Sequence, residues 1–420
     1  MLTVAKVLLQ SFFVLIVAGL LTTPVLADSR RQPEPTPLVI GHRGGANGYL
    51  PEHTLETYAL GIELGADYVE PDLVMTQDGH LIARHEPNLM NTTDVKDHPE
   101  FASRRRTAMI DGVQDDGWFA SDFTLAEIKT LRAVQSFPER PQQFNGLFEI
   151  PTFEEIIDFV KRKSHEQGRT IGIYPETKHP TYHRSIGLPL EAKIVRVLQA
   201  AGWNHRHAPV FLQSFEPSSL QELRQMTRVR LIQLVDANDV NPDGTLDFTP
   251  PFDRPYDWTA SGDPTLLARR FDFLVTDAGL SEVQTYADGI GPWKRYIVST
   301  AAIALDSNGN PADVNGDNKV DEADRKTLPP TDLIQRAHAH GLLVHAYTFR
   351  SEQFRLASDY QGNPVNEYLQ FYELGIDGVF SDFADTAFAA RVLFQLTNDP
   401  DFARCLTGDR RGHGRLDCPE

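Results

Sequence analysis

From residue 38 onward, short apolar runs alternate with amphipathic stretches, and this exchange limits the chain to a few architectures. Strand-like runs cover 38–42, 68–75, 81–85, 170–176, 210–215, 231–235, 271–276, 342–348 and 378–382. Helical periodicity marks 54–64, 152–166, 189–200, 218–227, 332–340 and 366–374. Strands separated by helices imply repeated βαβ units and a parallel sheet. Nine strand candidates are one too many for a closed eight-stranded barrel. The turn Gln77-Asp78-Gly79 joins two of them so tightly that one reads as a hairpin return. The expected fold is therefore α/β, a (β/α)8 TIM barrel over residues 38–390. An open doubly wound sheet is the other arrangement this pattern permits.

Two regions interrupt the rhythm and are expected to be insertions. Residues 88–146 are rich in charge and turn residues, without a clean period, and should shape the rim of the site. Residues 236–330 are also irregular, although they include FDFLVTD and YADGIGPWK.

The ends carry signals of their own. Residues 1–27 read as a signal peptide: Lys6, an apolar core, then the small-residue pattern Val25-Leu26-Ala27. Cleavage after Ala27 would leave an exported protein, periplasmic or extracellular, with no stable membrane anchor; an uncleaved anchor is the alternative. In such a compartment Cys405 and Cys418, the two cysteines of the chain, are expected to form a disulfide fastening the tail at 391–420. The formal net charge of -18 argues against a nucleic-acid partner, because a polyanion needs a basic footprint.

Residues with chemistry sit at strand ends, where barrel enzymes carry their active sites. The first run ends in His42-Arg43-Gly44-Gly45, followed by Pro51-Glu52-His53-Thr54. Histidine supplies an acid or base near neutral pH, and arginine a fork for phosphate oxygens. In Val69-Glu70-Pro71-Asp72 the spacing of two puts both carboxylates on one face of a strand. Such a pair is costly inside a barrel unless a cation or hydrogen bonds stabilise it; a solvated strand end is the bland alternative. His85 closes the run LIARHEP, and Glu176 closes IGIYPETK with Lys178 two residues on. Three carboxylates without a histidine–cysteine cluster favour one hard divalent ion, Ca2+ or Mg2+.

In order, HRGG, PEHT, VEPDLVMTQDGHLIARHEP, PETK, QSF, GLLVHAYTFR and GVFSDFADTA resemble the glycerophosphodiester phosphodiesterase family, in its exported bacterial branch. The resemblance runs from residue 38 to about residue 390. It implies a TIM barrel that hydrolyses small-molecule glycerophosphodiesters to an alcohol and sn-glycerol 3-phosphate. It implies that Glu70, Asp72 and Glu176 hold the divalent ion, that His42 and His85 are the acid/base pair, and that Arg43 and Lys178 hold the phosphate; of the two ions the carboxylate donors favour, Ca2+ is preferred. The chain departs from the family pattern at His53, where asparagine is usual, and at Glu86, where aspartate is usual. The attacking oxygen is either a neighbouring glycerol hydroxyl, giving a cyclic phosphate, or water.

Glu52, Gln213, Phe215 and Tyr347 are further candidates for the substrate pocket; Phe349, two residues beyond Tyr347, would share the same wall, with core packing the alternative for the aromatic residues. His345 reads as a core histidine. Outside the site, Asp313, Asn315, Asp317, Asp321 and Asp324 stand at positions 1, 3, 5, 9 and 12 of an EF-hand-like loop, with Lys319 at the backbone-carbonyl position. A second, structural Ca2+ is expected there, against the alternative of a solvated acidic loop.

Two other functions compete. Phospholipase D-like action on lysophospholipids requires an apolar lip, and no such stretch stands out in the two irregular regions. A surface binding protein on the same scaffold would have lost a histidine or a metal carboxylate, and none is missing.

Overall fold

The computed structural model describes residues 36–398. The expected signal peptide and the Cys405–Cys418 pair lie outside the described residues. Eight strands form the central sheet: β1 (Leu38–Gly41), β2 (Tyr68–Val69 and Asp72–Met75), β3 (Gly172–Ile173 and Glu176–Thr177), β4 (Phe211–Ser214), β5 (Arg230–Val235), β6 (Gly289–Pro292), β7 (Leu343–Phe349) and β8 (Gly378–Ser381). Each pairs in parallel with its neighbours in chain order, and β8 returns to β1 with Gly378 opposite Leu38. The ring is therefore closed, and the open-sheet alternative is excluded.

β2 and β3 are each interrupted at a proline, Pro71 and Pro175, which has no N–H to give to the ladder. The register nevertheless carries through: Tyr68 stands opposite Gly172 on one side of the break, and Asp72 opposite Glu176 on the other. The hairpin return is Leu81–Ala83, antiparallel to β2.

Helices α1 (Leu55–Glu63), α2 (Phe153–Gln167), α3 (Glu191–Ala200), α4 (Pro217–Met226), α5 (Asp277–Val283), α6 (Leu333–Ala339), α7 (Pro364–Glu373) and α8 (Ala384–Asn398) follow the eight strands in turn. α2 shows why its sequence is helical. Thr152 and Glu155 form a reciprocal capping box, Phe153, Ile156, Ile157 and Val160 face the core, and Gly168 ends the helix in a left-handed conformation. Each such side chain contributes about 1.5–3 kcal/mol on burial. Inside the barrel, Ile40, Tyr174, Phe211, Ile232 and Phe380 pack together. His345 joins them, with Nδ1 2.7 Å from the Tyr174 hydroxyl, as expected of a core histidine.

The sixth strand corrects the sequence reading. Residues 271–276 do not form a strand: Phe271–Val275 is a 3-10 helix with Phe271, Leu274 and Val275 buried, a helical spacing. The strand is Gly289–Pro292, from YADGIGPWK. It shows no alternation because its first residue must be small; a Cβ on Gly289 would lie 2.7 Å from Ile232 Cδ1 and 2.7 Å from the Leu343 carbonyl oxygen. Residues 236–330 are accordingly not one insertion but two excursions on either side of β6.

The first excursion, 88–146, has a small core of its own, in which Leu89, Val95, Phe101, Trp118, Phe123 and Leu131 pack on Val74 and Ile82 of the β-hairpin. It carries a two-stranded arm, Arg106–Ile110 with Val113–Gly117. After β6, Thr300–Ala302 pairs with Arg325–Thr327 and closes the base of the EF-hand-like loop. There Asp313 accepts hydrogen bonds from the amides of Gly316 and Asn318, Asp324 from those of Val314, Asn315 and Asp321, and Asn318 has φ 65. Among the described residues no helix is long and apolar enough to cross a membrane.

Candidate active site

The carboxyl ends of the strands open into a cavity of about 600 Å3. His42, Arg43, Glu70, Asp72, His85, Glu176, Lys178, Gln213, Phe215 and Tyr347 all line it. The strand register brings them there. Asp72 is opposite Glu176, and Glu176 is opposite Gln213, so three neighbouring strands present a row of polar side chains. Gln213 Nε2 donates to Glu70 Oε1 at 2.6 Å, and the Arg43 amide donates to Glu70 Oε2 at 2.8 Å. That amide points inward because Arg43 adopts φ 50, in a turn closed from the Gly45 amide to the His42 carbonyl.

Glu70, Asp72 and Glu176 each offer an oxygen within 4.8 Å of the others, all buried. Burial, and then the neighbouring Asp72 and Glu176 charges, hold the Glu70 carboxyl well above the carboxylate range. Burial pushes Glu176 up to about 7 against the pull of Lys178, whose Nζ is 3.1 Å away. For Asp72 burial acts upward, but His53, with Nε2 3.1 Å from Oδ2, and Lys178 outweigh it and keep the group ionised. Asp72 Oδ1 is buried with no partner among the described residues. Mutually repelling buried acids with an orphaned oxygen fit a hard divalent cation, which would take all three as ligands.

The two imidazoles are held differently. His42 Nδ1 pairs with Asp382 Oδ1, and His42 Nε2 is 3.9 Å from Glu70 Oε2. Asp382 also accepts from Arg140 at 2.6 Å and Arg350 at 2.9 Å, which with His42 hold it well below the carboxylate range in spite of burial. His85 Nδ1 is 2.7 Å from Glu86 Oε1, and its Nε2 is 3.4 Å from Lys178 Nζ. Burial, Arg43 and Lys178 lower His85 to about 4. His42 is also lowered, chiefly by burial, against Asp382. Each ring thus has Nδ1 on a carboxylate and turns Nε2 the other way, toward Glu70 in His42 and toward Lys178 in His85, where it can exchange a proton.

Three expectations are corrected. Glu52 does not line the cavity; it is buried behind Arg43, whose Nη1 it binds at 2.8 Å, leaving Arg43 Nε without a partner among the described residues. Phe349 leaves the pocket wall because a register shift between Ala346 and Phe349 turns it outward, where it stacks on Tyr368. Tyr347 stays inside, perpendicular to Phe215 at 6.0 Å. An apolar lip is also present: exposed Val113 and Phe252 line the mouth, with exposed Met109 on the same arm. These residues come from two distant segments, so no single stretch reveals them.

Sequence reasoning missed Asp382, although it ends an apolar run as Glu176 does and the same signal would have found it. Arg140, Asp111 and His179 gave no such signal. His53, read as a departure from the family pattern, holds a site carboxylate in place.

Glu216, also lining the cavity, is pushed up to about 8 by burial, then by Asp257 and Asp111. Its folded value lies above its unfolded one, so its stabilising contribution is complete below pH 4.5 or so and is lost as pH rises through about 8. Glu216→Gln should therefore melt about 2 °C above wild type at about pH 9 and alongside it at about pH 4. Calorimetry at the two pH values checks this; equal shifts at both would contradict it.

The family model for the glycerophosphoryl diester phosphodiesterase family matches residues 42–386. A glycerophosphodiester phosphodiesterase of Arabidopsis thaliana is 35% identical over 360 residues, covering 83% of this chain and 84% of the relative. One from Haemophilus influenzae is 30% identical over 369 residues, covering 83% of this chain and 88% of the relative. Among solved structures, an Oleispira antarctica phosphodiesterase in complex with the product sn-glycerol-3-phosphate aligns with TM-score 0.51 at 19% identity, over 84% of this chain and 96% of that one. With the closed barrel and the motifs in family order, these matches place the chain in the glycerophosphoryl diester phosphodiesterase family.

Proposed function

We propose that this chain hydrolyses glycerophosphodiesters to an alcohol and sn-glycerol 3-phosphate, with His42 and His85 as the acid–base pair and one divalent cation at Glu70, Asp72 and Glu176. The observation that carries this reading is the convergence of three buried carboxylates to within 4.8 Å in the cavity that both imidazoles line. Ca2+, which accepts irregular oxygen sets, is preferred to Mg2+, which demands near-octahedral geometry. The cation, when bound, supplies positive charge against the phosphoryl oxygens.

The chain's own residues do the rest. Arg43, through its free Nε, and Lys178 bind the phosphate and offset charge that develops in the transition state. One imidazole, neutral, takes the proton of the attacking oxygen at Nε2 as the other, entering protonated at both nitrogens, delivers its Nε2 proton to the leaving alkoxide. Phe215 and Tyr347 form an apolar wall that orients the substrate and limits water. The reading is tested by following products from glycerophosphocholine: release of choline with glycerol 3-phosphate is expected, and release of phosphocholine with glycerol would overturn it. The apolar lip supports a second substrate class, lysophospholipids, whose acyl chain would lie against Val113 and Phe252. In that case Phe252→Ala lowers turnover of lysophosphatidylcholine but not of glycerophosphocholine; equal effects on both would remove this reading.

Two proposals rest on the sequence. Export with cleavage after Ala27 is checked by the N-terminal residue of the mature protein. A structural Ca2+ in the 313–324 loop is supported by its oxygen side chains and by φ 65 at Asn318, the position where an EF-hand turns. Calcium should raise the melting temperature of wild type by about 2 °C more than that of Asp313→Ala; equal shifts would leave the loop as plain surface.

A further inference from the structure

The excursion at residues 88–146 reaches both imidazoles, each time through one carboxylate. At the turn of its arm, Asp111 Oδ2 is 2.6 Å from His179 Nδ1. His179 Nε2 is 2.9 Å from Glu86 Oε2, and the other oxygen of Glu86 is the one bound to His85 Nδ1. On the opposite side Arg140, buried between Phe137 and Asp382, donates from Nη2 to Asp382 Oδ2 at 2.6 Å and from Nε to Glu352 at 2.8 Å. The other oxygen of Asp382 is the one bound to His42 Nδ1.

Two features set these contacts apart from ordinary surface ion pairs. Asp111 stands with Gly112 at the two-residue turn of the arm, φ 47 and φ 80, and faces His179, which itself has φ 46. The paired hairpin thus fixes where the Asp111 carboxylate stands. Glu86, in addition, is 43% exposed at its side chain. A carboxylate so placed swings into water unless its second oxygen is anchored, and His179, fixed by Asp111, is that anchor.

We infer that Asp111 and Arg140 are positioning residues for the hydrolysis. Asp111 acts on His85 through His179 and Glu86, and Arg140 acts on His42 through Asp382. Each chain holds a carboxylate against Nδ1, so that this nitrogen keeps its proton and Nε2 faces the phosphate. The excursion is then part of the proton-transfer apparatus and not only a rim. This rests on the proposed roles of His42 and His85.

The test uses the full chain, loaded with cation, as wild type, Asp111→Asn, His179→Gln, the double variant and Arg140→Lys. Expected are a kcat for glycerol 3-phosphate release about tenfold lower in each single variant, with KM within about twofold. The double variant should lose little beyond His179→Gln, because both residues act along one chain. A structural role alone would lower the melting temperature and leave kcat per folded molecule unchanged; kcat within about twofold of wild type in Asp111→Asn and Arg140→Lys overturns the inference. Should Arg140→Lys fail to fold, the partly exposed Asp111 decides. Side-chain 15N signals of the histidines give a readout independent of turnover. Wild type should show His42 and His85 protonated at Nδ1, and the variants a mixture of tautomers. If wild type releases no glycerol 3-phosphate, the functional reading fails by itself, and unchanged 15N signals in the variants then overturn the positioning roles separately.

Discussion

Replacing His42 by alanine is expected to lower kcat for glycerol 3-phosphate release about a thousandfold, with little change in melting temperature. His42 is the ring whose proton is governed by the most enclosed carboxylate of the site, Asp382, which no solvent reaches. Without the imidazole, Asp382 keeps Arg140 and Arg350 as partners, so the buried charge is not orphaned and the fold survives. The loss then falls on turnover. KM should move much less, because Arg43 and Lys178 remain in place to bind phosphate. A coupled assay for glycerol 3-phosphate, with circular dichroism as the control for folding, measures it. Activity within about tenfold of wild type would mean that His42 exchanges no proton in the rate-limiting step.

The second large effect is on the cation. A chelator should abolish activity reversibly, and Asp72→Asn should lose it about a thousandfold without rescue at the cation concentration that restores wild type. Asp72 is the informative ligand. It remains ionised through His53 and Lys178 when Glu70 and Glu176 are pushed toward the protonated form, and its Oδ1 has no partner among the described residues. Neutralising it removes the permanent negative charge of the trio while keeping its shape and the contact to His53. Binding to the folded state alone stabilises it by mass action. The added cation should therefore raise the melting temperature of chelator-treated wild type by more than that of Asp72→Asn, in which only the 313–324 loop is left to bind it. A variant that keeps full activity and the full thermal shift would place the cation elsewhere.

The barrel was legible because seven of its eight strands carry apolar runs bounded by turns or helices. The sixth was not, because Gly289 and Pro292 exclude the side chains that make such a run, and the neighbouring FDFLV imitated a strand with a helical burial spacing. The site was legible where chemistry ends a strand within a few residues: His42, Glu70 with Asp72, His85, and Glu176 with Lys178. Asp382 lay in the same kind of position and was passed over. Asp111 and Arg140 could not have been found, because their partners lie 68 and 242 residues away and no period or motif links them. The apolar lip was hidden for the same reason, being assembled in space from two excursions.

The central claim is that three acids share one cation with an imidazole on either side of the phosphorus. Crystals soaked with Mn2+ and recorded at its absorption edge test it most directly. One anomalous peak is predicted about 2.0–2.6 Å from an oxygen of each of Glu70, Asp72 and Glu176, in the cavity lined by His42 and His85. No peak among these carboxylates, in a preparation whose activity needs the cation, would contradict the account, whatever the 313–324 loop binds.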